Sequence, residues 1–211
     1  MSRSANALRD NDTRLAQLAR DISAEQWAKP SLCTEWTNHE VLAHLVIGYG
    51  VALSAVTASI LRHRGAFDAA NTDLARSLAA HREPGQLLDD FMALARRPRG
   101  IGRIFPKRLL LGDHVIHELD ITYALGKEPA VPVSTVVAVL NTAVRVPNPF
   151  VPAAARARGL NLLATDTDWS HRTDGPTVTG RAAHLASVLA GRPCALRYLS
   201  GDGVATLSDR M

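Results

Sequence analysis

The chain has 211 residues, 46% hydrophobic and 21% charged, which excludes a disordered polyelectrolyte and allows one sizeable core or a domain with a small appendage. Its net charge of +4 rests on arginine, since Lys29, Lys107 and Lys127 are the only lysines. Cys33 and Cys194 are the only cysteines and form no Cys-x-x-Cys motif, which argues for reduced thiols in the cytoplasm and against a disulfide framework.

From the N-terminus, no apolar leader is legible in MSRSANALRDNDTR. Apolar residues at Ala5, Leu8, Leu15, Leu18 and Ile22 recur at helical spacing and predict a first helix over 5–22. KPSLCTEWTNHE reads as a loop closing on a helix start. Thr37 is an N-cap, Glu40 completes a capping box, and Trp36 with Val41 is placed for a hydrophobic staple. The helix so started is expected to run to about Arg62 and carries His44. Its segment 41–61 has no Asp, Glu, Lys or Arg and is long enough for a membrane. His44, Ser54, Thr57 and Ser59 and the Gly-Tyr-Gly interruption instead favour a helix buried within a bundle.

Helices are predicted over 71–81, 85–97 (with Pro84 at its start), 107–125 (stopped by Gly126 and Pro129) and 132–145. VPNPFVP then breaks the chain. The tail changes character: Leu160, Leu162 and Ala164 alternate as in a strand, TDGPT is turn chemistry, and RAAHLASVLAGRP is a short helix stopped at Gly191. The expected fold is α+β and mainly α: an up-down helical bundle over 1–147 and a small α/β domain over 148–211. Asp166, Asp168 and Ser170 begin like a calcium loop, but His171 and Thr177 occupy the positions that need Gly and Glu.

The basic run RRPRGIGRIFPKR is broken by Pro98, Gly100, Gly102 and Pro106 and carries no nucleic-acid-binding motif. A solvated loop is the plain reading, and an anion-facing role for some of its arginines stays open. No nucleic-acid or membrane partner is expected.

Chemistry concentrates in LGDHVIHELD. On a helix Asp113 and His117 are i and i+4 and share a face, with Asp120 three residues further on. His114 is turned about 100° from Asp113 and is not expected to share that face. His44, a lone histidine in the least polar helix, is the candidate partner, because bundle cores bring such positions together. His44, Asp113 and His117 fit a divalent first-row metal, zinc at tetrahedral geometry, with a position left open for catalysis or ligand binding. The alternatives are a surface Asp–His pair and a histidine buried for its hydrogen bonds alone.

CTEWTNHEVLAHL together with LLLGDHVIHELDITYALG resembles the mycothiol-dependent maleylpyruvate isomerase family, proteins with a DinB-like metal-binding four-helix bundle. The tail, GLNLLATDTDWSHRTDGP through LAGRPCALRYLSGDGVATL, is similar to that family's small C-terminal domain of sterol-carrier type. The resemblance implies metal ligands at His44, Asp113 and His117. It departs at Asp113, where the family isomerase has Glu; the shorter side chain would shift an ion by ~1 Å towards its helix or leave room for water. It also implies an active-site arginine from the C-terminal domain, with Arg192 the best candidate and Arg197 the second. Asp120 would orient a ligating histidine.

The function so implied is a metal-dependent enzyme, a monomer or homodimer. Its metal-bound low-molecular-weight thiol, mycothiol, attacks a small electrophilic substrate in an isomerisation or S-transfer. Neither cysteine is expected to serve as that thiol: Cys33 should lie at the bundle's end, not opposite the open metal position, and Cys194 should be a small buried hydrophobe. The alternative is a non-catalytic protein whose bundle and tail enclose an apolar ligand.

Overall fold

Helical spacing near the N-terminus becomes α1 (Arg3–Arg20), which buries Leu8, Asn11, Asp12, Leu15, Ala16 and Ala19 along one stripe. The computed structural model describes residues 3–148 and 151–211, and the chain divides into two units, Met1–Glu128 and Pro129–Met211. Pro149 and Phe150, in the expected VPNPFVP break, lie outside the described residues. After a short α2 (Ala24–Ala28), the first unit contains α3 (Asn38–Gly50), α4 (Leu53–Arg62), α5 (Phe67–His81), α6 (Pro84–Arg96) and α7 (Lys107–Ala124). Four of these close a bundle: α1 packs on α6 and α7, and α3 packs on the same two. α5 lies against α3 and α4.

The Thr37 signal works as its residues dictate. The Thr37 hydroxyl accepts from the Glu40 N–H at 3.2 Å, and the Glu40 carboxylate accepts from the Thr37 N–H at 2.7 Å. These bonds satisfy two backbone donors that a helix start otherwise leaves unpaired. The helix ends earlier than its apolar pattern predicts, however. Val51 and Ala52 are extended, and a second helix restarts at Leu53.

The basic run causes this break. It is pinned to the end of α3, where the Arg99 and Ile101 N–H groups donate to the Tyr49 and Val51 carbonyls at 2.9 and 3.1 Å. Two glycines permit that approach. A methyl on Gly100 would stand 1.8 Å from the Val51 oxygen, and one on Gly102 would stand 2.7 Å from the Tyr49 oxygen. Among the described residues no helix is long and apolar enough to cross a membrane.

A polar network ties three bundle helices together. Asp12 on α1 accepts from the Tyr49 hydroxyl of α3 and pairs with His114 Nδ1 of α7 at 2.7 Å, all three being buried. One turn along, Arg14 grips the Glu118 carboxylate at 2.7 and 3.0 Å. Burial by itself would lower the His114 imidazole, but the charge of Asp12 and its hydrogen bond outweigh that and raise it.

The second unit is a sheet covered by helices. Strands β1 (Asn161–Ala164), β2 (Ser170–His171) and β3 (Thr177–Gly180) stand in the order β2-β1-β3, with β1 antiparallel to β2 and parallel to β3. α8 (Val133–Ala143) precedes them, followed by the short α9 (Ala153–Ala157), and α10 (Ala182–Leu189) follows β3. α10 covers β1 and β3, and α8 packs on α10. The division into compact units falls at 128/129. α8 gives its buried Val136, Val139 and Leu140 to the sheet-bearing unit, and the Trp169 indole N–H donates to Asn141 at its end. The Asp166 carboxylate, first residue of the failed calcium pattern, accepts from the Ala182 N–H where α10 begins.

Thr37→Ala should destabilise the protein by about 1 kcal/mol, lowering the thermal midpoint by roughly 2–4 °C. Calorimetry of the two proteins side by side checks this. Asp12→Ala should be costlier, by about 3 kcal/mol in denaturant unfolding, because it strands buried polar atoms of His114 and Tyr49 on two other helices. A loss under 1 kcal/mol would mean that the network contributes little to holding α1.

Candidate metal centre

α3 and α7 are neighbours in the bundle, and each turns one histidine towards the other. The His44 and His117 rings are 4.8 Å apart between centroids, inclined at 66°. Asp113, one turn before His117, faces both. Its carboxylate is 3.4 Å from His44 Nε2 and 3.6 Å from His117 Nε2. His44 and His117 are mostly enclosed, while the Asp113 side chain is 35% exposed and gives the cluster an opening.

The outer nitrogen of each ring is already engaged. His44 Nδ1 meets the Asn71 amide oxygen at 3.1 Å, and His117 Nδ1 meets the Asp120 carboxylate at 3.0 Å. Both partners accept, so each Nδ1 carries the hydrogen and each Nε2 presents a lone pair. Two lone pairs and a carboxylate thus point at one another. Without a cation between them that arrangement is repulsive. Two ligands about 2.1 Å from a tetrahedral ion stand about 3.4 Å apart, which is the spacing found here. The donor set therefore suits a divalent ion held by His44, Asp113 and His117, with a position towards the opening left for another ligand.

The electrostatics agree. Burial lowers the His117 imidazole, and the charge of His44 adds to this against the raising effect of Asp113 and Asp120, so the ring is neutral and able to ligate. Burial alone would raise the Asp113 carboxyl. Positive charge between the carboxylate and the two rings outweighs this: were His44 and then His117 protonated, with His44 donating to it, the carboxyl would be held well below the usual carboxylate range. Despite being one methylene shorter than Glu, the Asp113 side chain reaches both rings.

Trp36 closes one wall, its ring 5.0 Å from that of His44 and 5.8 Å from that of His117, with its N–H donating to Thr72. The staple position therefore also seats the indole on both histidines. Asn71, an amide in an otherwise alanine-rich helix, was not legible as a site residue. His114 lies on another face of α7, engaged with Asp12.

One expectation about cysteine is corrected. Cys194 is exposed, not buried, because it stands in a 3-10 turn (Pro193–Tyr198) and not on the inner face of a helix. Cys33 is half-buried, and its sulfur lies within 4.8 Å of a His117 ring nitrogen and an Asp120 oxygen. The loop turns back after α2, and the Leu32 N–H reaches the Asp120 carbonyl at 3.4 Å, which brings Cys33 alongside α7.

In the second unit, Arg192 donates to the Ala190 carbonyl at 2.8 Å and its charge bears on Arg156, which donates to Leu189 at 3.0 Å. Both arginines thus serve the C-terminal carbonyls of α10, a favourable place for positive charge. Arg197 donates to the Tyr198 hydroxyl and its guanidinium is 4.8 Å from the centre of that ring.

Residues 8–100 match the family model described as the mycothiol maleylpyruvate isomerase N-terminal domain. Two crystal structures, of the mycothiol-dependent maleylpyruvate isomerase and of a single-residue mutant of it, share the fold. Each aligns at a TM-score of 0.60 and 15% identity over 94% of this chain and 91% of that one. No match was found among curated proteins. Over residues 8–100 the chain is thus similar to the N-terminal domain of mycothiol maleylpyruvate isomerase, and over nearly its whole length it shares that protein's fold.

Proposed function

We propose that the protein is a metal-dependent enzyme that uses a low-molecular-weight thiol, mycothiol, for isomerisation or S-transfer on a small electrophile of the maleylpyruvate kind. The observation that carries this reading is the convergence of two imidazole lone pairs and a carboxylate at ligand spacing beside an opening. His44, Asp113 and His117 are the proposed ligands. Zinc is the proposed ion, since two nitrogens and one oxygen with a free position suit it.

Bound there, the ion supplies Lewis acidity that keeps a coordinated thiol ionised at neutral pH, and the thiol supplies reversible addition to an electron-poor double bond. The chain's own groups do the positioning. Asn71 and Asp120 keep the two Nδ1 hydrogens in place and the Nε2 atoms aimed inwards. Trp36 excludes water from one side and fixes the ring planes. Asp113, the most exposed of the three, stands nearest the entrance and screens the ion's charge. Arg192 is proposed to hold a substrate carboxylate bidentately, a role supported by the family resemblance of its Ala-Gly-Arg-Pro segment.

Protein purified without chelator should contain close to one divalent ion per chain by elemental analysis. His44→Ala and His117→Ala should each lose it while keeping their helical circular dichroism. Full occupancy in both variants would overturn the ligand set.

The holoprotein should turn over maleylpyruvate or a related electrophile only when mycothiol is added. Arg192→Met should then raise KM for a carboxylate substrate without altering metal content. Turnover without added thiol would overturn the proposed mechanism. Thiol binding with no turnover of any electrophile would favour a ligand-binding protein on the same scaffold.

A further inference from the structure

Behind the first donor set lies a second one. Cys33, His117 and Asp120 each place a donor atom within 4.8 Å of the others. His117 belongs to both sets and stands between them, with Asp113 at Nε2 and Asp120 at Nδ1. We propose that Cys33, His117 and Asp120 form a thiolate-containing site for a divalent ion softer than zinc, such as cadmium, and that its occupation excludes an ion from the His44–Asp113–His117 set.

Charge favours the second set for such ions. A thiolate and a carboxylate with a neutral imidazole neutralise a divalent cation completely, whereas the first set offers one carboxylate and leaves a net positive charge. Asp120 is fully buried and His117 is 6% exposed, so that difference counts. Sulfur also selects: a thiolate favours a soft ion such as cadmium over borderline zinc and over hard magnesium, calcium or manganese. The site can close, because ligand separations around zinc of about 3.3–3.7 Å need only about 1 Å of movement from the spacing found. Cys33 can supply it, being half-exposed in the loop between α2 and α3 and not in a helix.

Exclusion follows from proton accounting. An ion at Nδ1 displaces the hydrogen that Asp120 now accepts. A neutral ring carries that hydrogen on Nε2 instead, where it points at Asp113 and removes the lone pair that the first set requires. The Cys33 thiol gives up its proton to solvent. Each ion bound therefore releases one proton and converts His117 from one tautomer to the other. Occupation of both sets would need a doubly deprotonated imidazolate. Soft ions in excess are thus expected to act as inhibitors of whatever chemistry the first set supports, although the second site does not depend on that chemistry.

Cadmium titration of the chelator-stripped full chain tests this, read by the ultraviolet thiolate-to-cadmium charge-transfer band. The band should appear in the wild type, in Cys194→Ser and in His44→Ala, and should saturate at one ion per chain. It should be absent in Cys33→Ser and in Cys33→Ala, both changes at a loop position that leaves the bundle folded. A band that survives in the Cys33 variants, disappears in Cys194→Ser, or never forms would overturn the site. Two cadmium ions bound per wild-type chain at saturation would overturn the exclusion. If the first set is misassigned, His44→Ala will leave native metal content unchanged. That outcome is separate from any result at Cys33.

Discussion

The cluster depends on holding three electron-rich groups at ligand distance inside a helical bundle. Helices pack through apolar side chains, so a polar cluster between α3 and α7 survives only if every other polar atom nearby is satisfied. That need explains much of the surrounding sequence. Asn71 and Asp120 take the outer ring nitrogens, Trp36 covers both rings, and Thr37 with Glu40 fixes where α3 starts and hence where His44 falls. A helix starting one residue later would be rotated by about 100° at His44 and would lose the pair.

The same helix carries a second polar system on another face. His114 and Glu118 reach across to α1, through Asp12 and Arg14, while Asp113, His117 and Asp120 turn towards the site. α7 is therefore polar towards two neighbours, which is why its sequence shows so little amphipathic contrast. Asp12 and Arg14 anchor α1 and α7 from the side opposite the rings. Charge on one face ties the scaffold together and charge on the other converges on the candidate site, and the difference lies in what each group meets. His114 meets a carboxylate at 2.7 Å that satisfies it, whereas the inner nitrogens of His44 and His117 meet only a shared carboxylate.

Local signals in the sequence were sufficient for the parts that local physics controls. The Thr37 capping box, the i and i+4 spacing of Asp113 and His117, and the Gly191 stop all depend on neighbouring residues, and each is found where expected. Features set by distant partners were not legible. The apolar run after His44 reads as one helix, yet Gly100 and Gly102 bring a separate loop against Tyr49 and Val51 and the helix ends there. Val133–Ala143 has the spacing of a bundle helix, but it packs on α10 of the sheet-bearing unit. The approach of Cys33 to α7 was not legible, because its separation from His44 along the chain says nothing about its distance from that helix.

The position of Cys33 also bears on how such a site can change its chemistry. A histidine between two acids has two tautomers, and which is populated depends on which acid meets a proton and which meets a cation. In the His44–Asp113–His117 arrangement, Asp120 takes the proton and frees the inner nitrogen. The presence of a sulfur on the Asp120 side makes that assignment reversible, because a soft ion there competes for the same ring. Selectivity between the two sets then rests on charge and softness more than on shape, since the ring hardly needs to move. Replacing Cys33 by serine keeps the loop and removes the competitor, which would leave His117 committed to its inner face. On the proposed reading, a half-exposed loop residue with no part in the first donor set would govern how exclusively that set holds a metal.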